Sequence, residues 1–359
     1  MSRLLAVTSA LPPHVHPQAE ITGMLGPILA PDPARRALLE RLHGASGVLT
    51  RHMTLPLEAY ADLGSFSRAN DLFIHHGTEL AARALEEALD AAGLRPSEVD
   101  FLLFTTVTGI AAPSIDALLV ERLGLRPDVR RMPSFGFGCA GGAAGLARVH
   151  DYLVGHPGDV GVLVCLELCS LTLQHGDGST ANLVSSAIFG DGAAAAVLVG
   201  SAHPAGARHP REAVVVDSRS RLFSGTGDAL GWQVGESGFR IVLSAGLPTV
   251  LEAHLAQEVE ALLAPHGLSS GDVDRWVVHA GGPKVLDSAT QALGLRPEAL
   301  DRSRDSLAAV GNLSSASVLH VLDLTLGQEP LGPGDVAVLM AFGPGVACEL
   351  VLLRGPEED

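Results

Sequence analysis

Residues 93–106 read GLRPSEVDFLLFTT, and residues 267–280 read GLSSGDVDRWVVHA. Each stretch begins with a Gly-Leu helix stop and a polar turn, and each ends in an apolar run that is typical of a buried strand. Each also follows an amphipathic helical stretch, ELAARALEEALDAA in the first case and LEAHLAQEVEALLAP in the second. The same helix–turn–strand unit therefore occurs twice in the chain.

A second pair of stretches indicates that the duplication is long. HPGDVGVLVCLE at 156–167 matches GPGDVAVLMAFG at 332–343, with an offset of 176 residues between Asp159 and Asp335. The first pair is offset by 174 residues, as counted from Glu98 to its equivalent. Solenoid repeats have periods of only about 20–50 residues, so the pattern predicts a duplicated α/β half rather than a repeat array.

The two predicted halves are residues 1–205 and 206–359, with a small, Pro- and Gly-rich connector at 201–212. Strands alternate with helices in each half, which predicts an α/β fold with parallel-rich sheets covered by helices on both faces. Two such halves, packed around a pseudo-twofold axis, form a natural active site where their strand ends and helix starts meet.

Composition excludes several classes of function. Of the 359 residues, 47% are hydrophobic, enough for a sizeable core, and the formal net charge is −16. A chain this acidic has no broad surface for a nucleic-acid backbone. Its four cysteines are too few for a disulfide framework and lack zinc-site spacing. No stretch reaches the ~20 apolar residues that span a bilayer. We therefore expect a cytoplasmic protein with no nucleic-acid partner, no membrane span and no metal.

Three chemically capable residues lie at equivalent seams of the two halves. FGFGCAGGAAGLARVHDYL places Cys139 after an apolar strand and at the first turn of a Gly/Ala-rich helix. A helix start can lower a thiol pKa from ~8.5 to roughly 4–7, so Cys139 is a candidate nucleophile for thioesters. WVVHAGGPKVLD places His279 at a strand end before a sharp turn. VGNLSSASVLHVLDL places Asn312 at the entrance to a helix.

Each of these residues also has a purely structural interpretation. The cysteine can be buried and inert, the histidine one of 15 surface or capping histidines, and the asparagine a helix N-cap. A Gly-x-Gly-x-x-Gly pattern at 136–141 matches a dinucleotide fingerprint, but it lies in mid-chain and encloses the cysteine. The order Cys, His, Asn is also that of papain-like proteases, whose local sequence context is absent.

Taken together, the motifs resemble those of the type III polyketide synthases, the chalcone-synthase-like family of the thiolase superfamily. The matching segments, in order, are GFGCAGG at Cys139, IFGDGAAA at Phe189, HAGGPKVLD at His279, GNLSSAS at Asn312 and AFGPG ending at Gly345. The resemblance covers most of the chain. It implies a thiolase fold with two duplicated halves in α-β-α-β-α layers, a homodimer, and no cofactor beyond the CoA thioesters that serve as substrates.

The resemblance also implies a reaction. Cys139 would attack an acyl-CoA and keep the acyl group. His279 and Asn312 would donate hydrogen bonds to the carbonyl oxygen and to the enolate that forms when malonyl-CoA loses CO2. The enolate would attack the Cys139 thioester, and repeated rounds would extend a poly-β-keto chain on CoA. The chain would therefore be an acyltransferase that needs no carrier domain.

The walls of the site follow from the same resemblance. Phe189 and Phe239 match two gatekeeping phenylalanines, whose rings would leave the malonyl carboxylate poorly solvated. Ala112 would lie on a loop that crosses the dimer interface into the partner's cavity, and Leu230 stands where plant enzymes typically have Gly. The remaining substrate-binding candidates are Cys169, Thr172, Ser314, Gly343 and Pro344, and the candidates for CoA phosphates are Arg36, Arg41 and Lys284.

The starter unit is predicted from two segments. ELCSLTLQ at 167–174 and TGIAAPSIDALL at 108–119 resemble bacterial alkylpyrone and alkylresorcinol synthases. Small residues at Ala111 and Ala112 would lengthen the pocket, so we expect a medium- to long-chain fatty acyl-CoA starter. The alternatives are a malonyl-primed tetrahydroxynaphthalene-type synthase, an aromatic-starter chalcone-like synthase, and a ketoacyl-ACP synthase III. The intact triad argues against a non-catalytic binding protein.

Overall fold

Strands and helices alternate along most of the chain in a computed structural model that describes residues 1–209, 212–244 and 246–356. Its strands are Ser2–Ala10 (β1), His14–Pro17 (β2), Thr50–Met53 (β3), Phe101–Thr106 (β4), Arg130–Phe135 (β5), Val160–Leu168 (β6), Asp191–Gly200 (β7), Val214–Leu222 (β8), Leu230–Gly235 (β9), Gly238–Leu243 (β10), Arg275–Val278 (β11), Val336–Gly343 (β12) and Ala347–Arg354 (β13). Its α-helices are Gln18–Leu29 (α1), Pro33–Gly44 (α2), Phe66–Ala91 (α3), Ile115–Leu123 (α4), Gly141–Gly155 (α5), Thr180–Ile188 (α6), Pro204–Arg208 (α7), Leu247–Leu263 (α8), Pro283–Leu293 (α9), Asp301–Val310 (α10) and Ser317–Gln328 (α11).

The sheet order displays the duplication read from the sequence. Within the described residues the main sheet has nine strands in the order β11-β12-β13-β8-β1-β7-β6-β4-β5. The run β4-β6-β7-β1 pairs parallel, antiparallel, antiparallel, and the run β11-β12-β13-β8 repeats that pattern. The duplicated stretches contribute β4 and β11, and the second pair contributes β6 and β12. The two halves join where β1 pairs antiparallel with β8.

The prediction of parallel-rich sheets is wrong. Of the eight pairings between neighbours in the main sheet, three are parallel and five antiparallel. In the second half, β12 turns directly into β13, which makes a hairpin rather than a helical crossover. In the first half, α6 lies between β6 and β7, but these two strands also pair antiparallel. The predicted boundary between residues 205 and 206 falls inside α7, and residues 210 and 211 of the predicted connector lie outside the described residues.

Helices form three layers around the two halves of the sheet. In the middle, α5 packs on β4, β6 and β7 on one side and on β8, β12 and β13 on the other, and α11 likewise touches strands of both halves. One outer layer is α3 and α4 against the first half, and the other is α8 against the second half, with α9 packed on α8. The result is the expected α-β-α-β-α arrangement, with two apolar cores.

The strand before Cys139 differs from the prediction. It is not an apolar strand: β5 carries Arg130 and Arg131, most of its residues are exposed, and it is the terminal strand of the sheet, paired with β4 on one side. A terminal strand has an unpaired outer edge, so its residues face solvent in a single chain. The helix that follows Cys139 is nevertheless where the sequence predicted it. The turns that lead into the two central helices, α5 and α11, are in contact with each other.

None of the helices in the described part of the chain is long and apolar enough to cross a membrane. The same residues contain no group of three or more His, Cys, Asp and Glu side chains arranged to hold a metal ion.

Candidate active site

Cys139 lies on a tight turn that the second half of the chain holds in place. The turn is a 3-10 segment, Gly138–Ala140, that leads into α5. Gly138 has a φ of +52°, and a Cβ built on it would lie 2.6 Å from Cδ of Pro344. A side chain at position 138 would have a strained backbone conformation and would clash with Pro344. A Cβ on Gly343 would likewise meet the carbonyl oxygen of Phe137 at 2.4 Å. The predicted Gly343 and Pro344 are thus packed directly against the cysteine turn.

A chain of contacts links Cys139 to the other two candidate residues. Its Sγ lies 3.6 Å from Oγ of Ser314. The backbone N–H of Ser314 donates to Oδ1 of Asn312 at 2.8 Å, and Nδ2 of Asn312 lies 3.4 Å from the carbonyl oxygen of Gly281. A Cβ built on Gly281 would be 3.2 Å from Nε2 of His279. The segments that carry Cys139, Asn312 and His279 are therefore linked through Ser314 and Gly281.

The pKa of the Cys139 thiol is shifted in the direction opposite to the prediction. Burial raises the pKa of the Cys139 thiol to about 12, with the Glu167 charge adding to the effect and hydrogen bonds from Ser314 and Asn312 opposing it. Burial also lowers the pKa of His279 to about 3. The lowering expected from the start of α5 is thus outweighed by loss of solvent. An isolated thiolate and an isolated imidazolium are therefore each disfavoured here.

Glu167 is a candidate functional residue that the sequence analysis missed. It is fully buried at the end of β6. Its Oε2 accepts from the backbone N–H of Val107 at 3.1 Å and from Oγ1 of Thr108 at 2.9 Å. Its Oε1 accepts from Oγ of Ser315 at 2.6 Å and of Ser314 at 3.3 Å. Burial raises its pKa to about 7 despite these bonds. The available signal was an acidic residue inside the otherwise apolar strand VGVLVCLEL.

A cavity of about 410 Å³ opens in front of Cys139. Six of the predicted substrate-binding residues line it: Cys169, Thr172, Phe189, Leu230, Ser314 and Pro344. A second cavity of about 400 Å³ shares Cys169, Thr172 and Phe189 with the first and adds Phe239 and the buried Arg51. The site is therefore two adjoining chambers rather than one straight tunnel.

Trp232 is one of five residues that line both chambers, and it was not singled out from the sequence. Its ring centroid lies 5.9 Å from that of Phe239. Phe239 in turn packs edge-on against Phe66 at 5.3 Å and lies 6.0 Å from Phe135. The gatekeeping position is thus an aromatic cluster drawn from β5, β9, β10 and α3. The signal for Trp232 was weak: it is one of only two tryptophans in the chain.

Five predicted binding residues line neither chamber, and one of them, Gly343, packs against the cysteine turn instead. Ala112 is exposed and lines neither of them. Arg36 donates from Nε to the carbonyl oxygen of Ala30 at 3.0 Å, so it caps α1. Arg41 and Lys284 are exposed, the first in the last turn of α2 and the second at the start of α9. Their contacts with CoA, and that of Ala112 with a partner chain, stay predictions.

Two duplicated halves in five layers, with a cysteine at the start of a central helix and an apolar cavity before it, define a thiolase-fold condensing enzyme. The chain belongs to the chalcone and stilbene synthase family: the N-terminal domain model of that family matches residues 1–204 and the C-terminal domain model matches residues 215–356. It is accordingly a type III polyketide synthase, an acyltransferase that uses CoA thioesters.

Its relatives differ in their products. A 1,3,6,8-tetrahydroxynaphthalene synthase of Streptomyces peucetius is 52% identical over 349 residues, which is 97% of this chain and 92% of that protein. An alpha-pyrone synthesis polyketide synthase-like protein of Mycobacterium tuberculosis is 33% identical over 328 residues, 89% of this chain and 83% of that one. The crystal structure of the tetrahydroxynaphthalene synthase of Streptomyces coelicolor, 29% identical, superposes with a TM-score of 0.92 and covers 99% of this chain and all of its own.

Proposed function

We propose that this enzyme is primed by malonyl-CoA and makes a tetrahydroxynaphthalene-type product. The observation that carries the proposal is the 52% identity to a tetrahydroxynaphthalene synthase over 97% of the chain. The alpha-pyrone relative is only 33% identical. The comparisons therefore favour this alternative over the fatty acyl starter that two short segments of the sequence suggested.

The walls of the catalytic chamber support a small starter. Leu230, Trp232 and Ile241 line the same chamber as Cys139, and their bulky side chains leave less room for a long acyl chain. The long-chain expectation depended on a small side chain at Ala112, which is exposed in the single chain. A small starter does not need that space.

The carbon count of such a product sets the stoichiometry. A naphthalene has ten ring carbons, and each malonyl group supplies two carbons after it loses CO2, so the product of that type requires five malonyl-CoA and releases five CO2. One malonyl group serves as the starter and four as extenders. No other carbon source is needed.

Loading begins with a proton transfer from Cys139 to His279. The neutral imidazole accepts the thiol proton as the sulfur attacks the thioester carbonyl, and the protonated ring then gives the proton to the departing CoA thiolate. Burial disfavours either charge alone, but the thiolate and the imidazolium stabilise each other when they form together in one apolar cavity. Nδ2 of Asn312 is the proposed donor to the oxyanion, because Oδ1 already accepts from the N–H of Ser314.

In the extension step, the same hydrogen-bond donors would stabilise the negative charge of the malonyl-derived enolate. When malonyl-CoA loses CO2, the electron pair of the broken C–C bond forms an enolate, whose oxygen would accept hydrogen bonds from Asn312 and His279. The enolate carbon attacks the Cys139 thioester, the cysteine sulfur leaves, and the lengthened chain stays on CoA. The rings of Phe189 and Phe239 give the malonyl carboxylate little solvation, which favours its loss as CO2.

The test is turnover with malonyl-CoA as the only substrate. Uniformly 13C-labelled malonyl-CoA should give an aromatic product that contains ten labelled carbons, detected by liquid chromatography and mass spectrometry. Addition of octanoyl- or lauroyl-CoA in equal amount should leave that product dominant. A preparation that forms only alkylpyrones, and only when a fatty acyl-CoA is present, would overturn the proposal while leaving the family assignment intact. The Cys139→Ala variant, which lacks the proposed nucleophile, is the negative control and should form no product.

A further inference from the structure

The C-terminal end of α6 is held by three groups from other parts of the chain. The carbonyl oxygens of residues 187–189 accept, in that order, from Nε2 of Gln18 at 2.8 Å, from the backbone N–H of Asn312 at 2.7 Å and from Nη1 of Arg51 at 2.7 Å. The last carbonyls of a helix have no partner within the helix. Here an arginine, a glutamine and the backbone of a proposed catalytic residue supply those partners.

Arg51 is the charged member of this cap. It lies on β3 and is only 4% exposed, and its Nε donates to Oε1 of Gln18 at 3.0 Å. Burial lowers its pKa to about 10, so it stays positively charged at neutral pH. A positive charge at the C-terminal end of a helix is favourable. Its stem packs against Gly311, where a Cβ would lie 3.2 Å from Cγ and Cδ of the arginine and where φ is +75°.

The segment that Arg51 holds is tied to Asn312 on both sides. Phe189 and Asn312 form an isolated parallel bridge. The N–H of Asn312 donates to Ile188, and its carbonyl oxygen accepts from the N–H of Gly190 at 2.9 Å. A Cβ on Gly190 would lie 2.2 Å from the carbonyl oxygen of Val310, so the two backbones are in close contact. Arg51 binds the one carbonyl between these two bonds, that of Phe189.

We propose that Arg51 is a positioning residue for decarboxylation. Its guanidinium holds the Phe189 segment against the backbone of Asn312, and so fixes the side-chain amide that is proposed to face the enolate. Arg51 does not touch the reacting atoms. The inference rests on the role proposed above for Asn312. It also explains why the charged Arg51 is buried beside the cavity.

The Arg51→Lys variant tests this inference. Lysine keeps the charge but cannot bind Gln18 and the Phe189 carbonyl with a planar fork. Small misplacement of an oxyanion donor costs much of its effect, so decarboxylation of malonyl-CoA should fall about tenfold. Loading of Cys139 by an acyl-CoA, measured by intact-protein mass spectrometry, should slow as well, because its tetrahedral intermediate also places an oxyanion at Nδ2 of Asn312.

A double-mutant cycle separates positioning from a general structural role. If Arg51 acts through Asn312, then Arg51→Lys should change decarboxylation by less than about twofold in an Asn312→Ala background. Equal losses in both backgrounds would overturn the inference, as would an unchanged rate in the single variant. The matched control is Arg219→Lys, since Arg219 also donates from Nε, to Glu258 at 2.6 Å, but lines neither chamber. It should leave both rates unchanged.

Two further outcomes are informative. An Asn312→Ala variant that decarboxylates at the wild-type rate would contradict the role proposed for Asn312, whatever Arg51 does. If Arg51→Lys does not accumulate as a folded protein by circular dichroism, Gln18→Met takes its place, because it removes the bond to residue 187 and the acceptor for Arg51. A decarboxylation loss that disappears in the Asn312→Ala background supports the inference, and one that persists overturns it.

Discussion

At the scale of single residues, burial disfavours the charged form of both proposed catalytic groups. The thiol of Cys139 has its pKa raised by burial, and the imidazole of His279 has its pKa lowered by the same cause. Neither shift helps a nucleophile by itself. Their chemistry depends on the pair, because one proton transfer creates two opposite charges that compensate each other in a cavity of low dielectric.

Alkylation of Cys139 should therefore depend on His279. With iodoacetamide in the absence of CoA thioesters, we expect the His279→Ala variant to react at least about tenfold more slowly than the wild type between about pH 7 and pH 9, because the thiol loses its proton acceptor. Peptide mapping should find the label on Cys139. The other three cysteines are buried and have raised pKa values. Superimposable pH profiles would show that His279 is not the acceptor.

Glu167 should make stability depend on pH in a definite direction. Burial raises its pKa from 4.5 to about 7, so the native state binds the proton more tightly than the unfolded chain. The stabilisation is complete below pH 4.5 and is lost as pH rises through about 7, at a cost of about 3 kcal/mol. Glu167→Gln mimics the protonated form and should lack this loss.

The measurement is the difference in free energy of unfolding between Glu167→Gln and the wild type, from urea denaturation at intervals between about pH 5 and pH 8. Other titrating groups are common to both proteins and cancel. The difference should move in favour of the variant as pH rises. A difference that stays flat over this range would show that the native carboxylate titrates normally.

At the scale of elements, the sequence predicts well those helices and strands whose signals lie within a single segment. The duplicated units became β4 and β11, because Gly-Leu stops and apolar runs are local signals. The direction of strand pairing is set by the connections between elements, which explains why the antiparallel pairs around β7 and β13 were missed. Glu167, Arg51 and Trp232 escaped notice for a similar reason: each gains its role from partners far away in the chain.

The hairpin β9–β10 carries Trp232, the largest side chain that lines both chambers, so its substitution should change the product. Trp232→Ala would join the two cavities, which measure about 410 and 400 Å³. We expect the variant to accept starters of six to eight carbons (on the order of 1 kcal/mol per buried methylene) that the wild type uses poorly. Product masses from malonyl-CoA mixed with hexanoyl- or octanoyl-CoA give the readout.

Val234→Ala is the matched control for that substitution, because Val234 lies on the same strand, is 63% exposed and lines neither cavity. Its product profile should equal that of the wild type. If Trp232→Ala decarboxylates malonyl-CoA normally yet makes no longer-starter product, the two chambers are not connected by removal of this ring.

At the scale of the whole molecule, the outer edge of the main sheet is left open. The terminal strand β5 carries Met132 and Phe135, which are 45% and 51% exposed, and the exposed Ile110 lies on the loop after the neighbouring strand β4. Exposed apolar side chains on an unpaired edge are a liability for a monomer and are normally covered. The homodimer expected from the sequence would cover them if two copies met edge to edge around a twofold axis.

Met132→Glu tests that assembly. A charge placed at an apolar edge must be desolvated for two copies to meet, and a twofold axis would bring two such charges near each other, so the variant should be monomeric at micromolar concentration while the wild type is a dimer. Size-exclusion chromatography with light scattering measures the mass. Val154→Glu is the control, because Val154 is 57% exposed but lies in the last turn of α5 and not on the edge strand. A monomeric wild type, or a Met132→Glu protein that stays dimeric while Val154→Glu dissociates, would place the interface elsewhere and leave the predicted role of the Ala112 loop without its partner cavity.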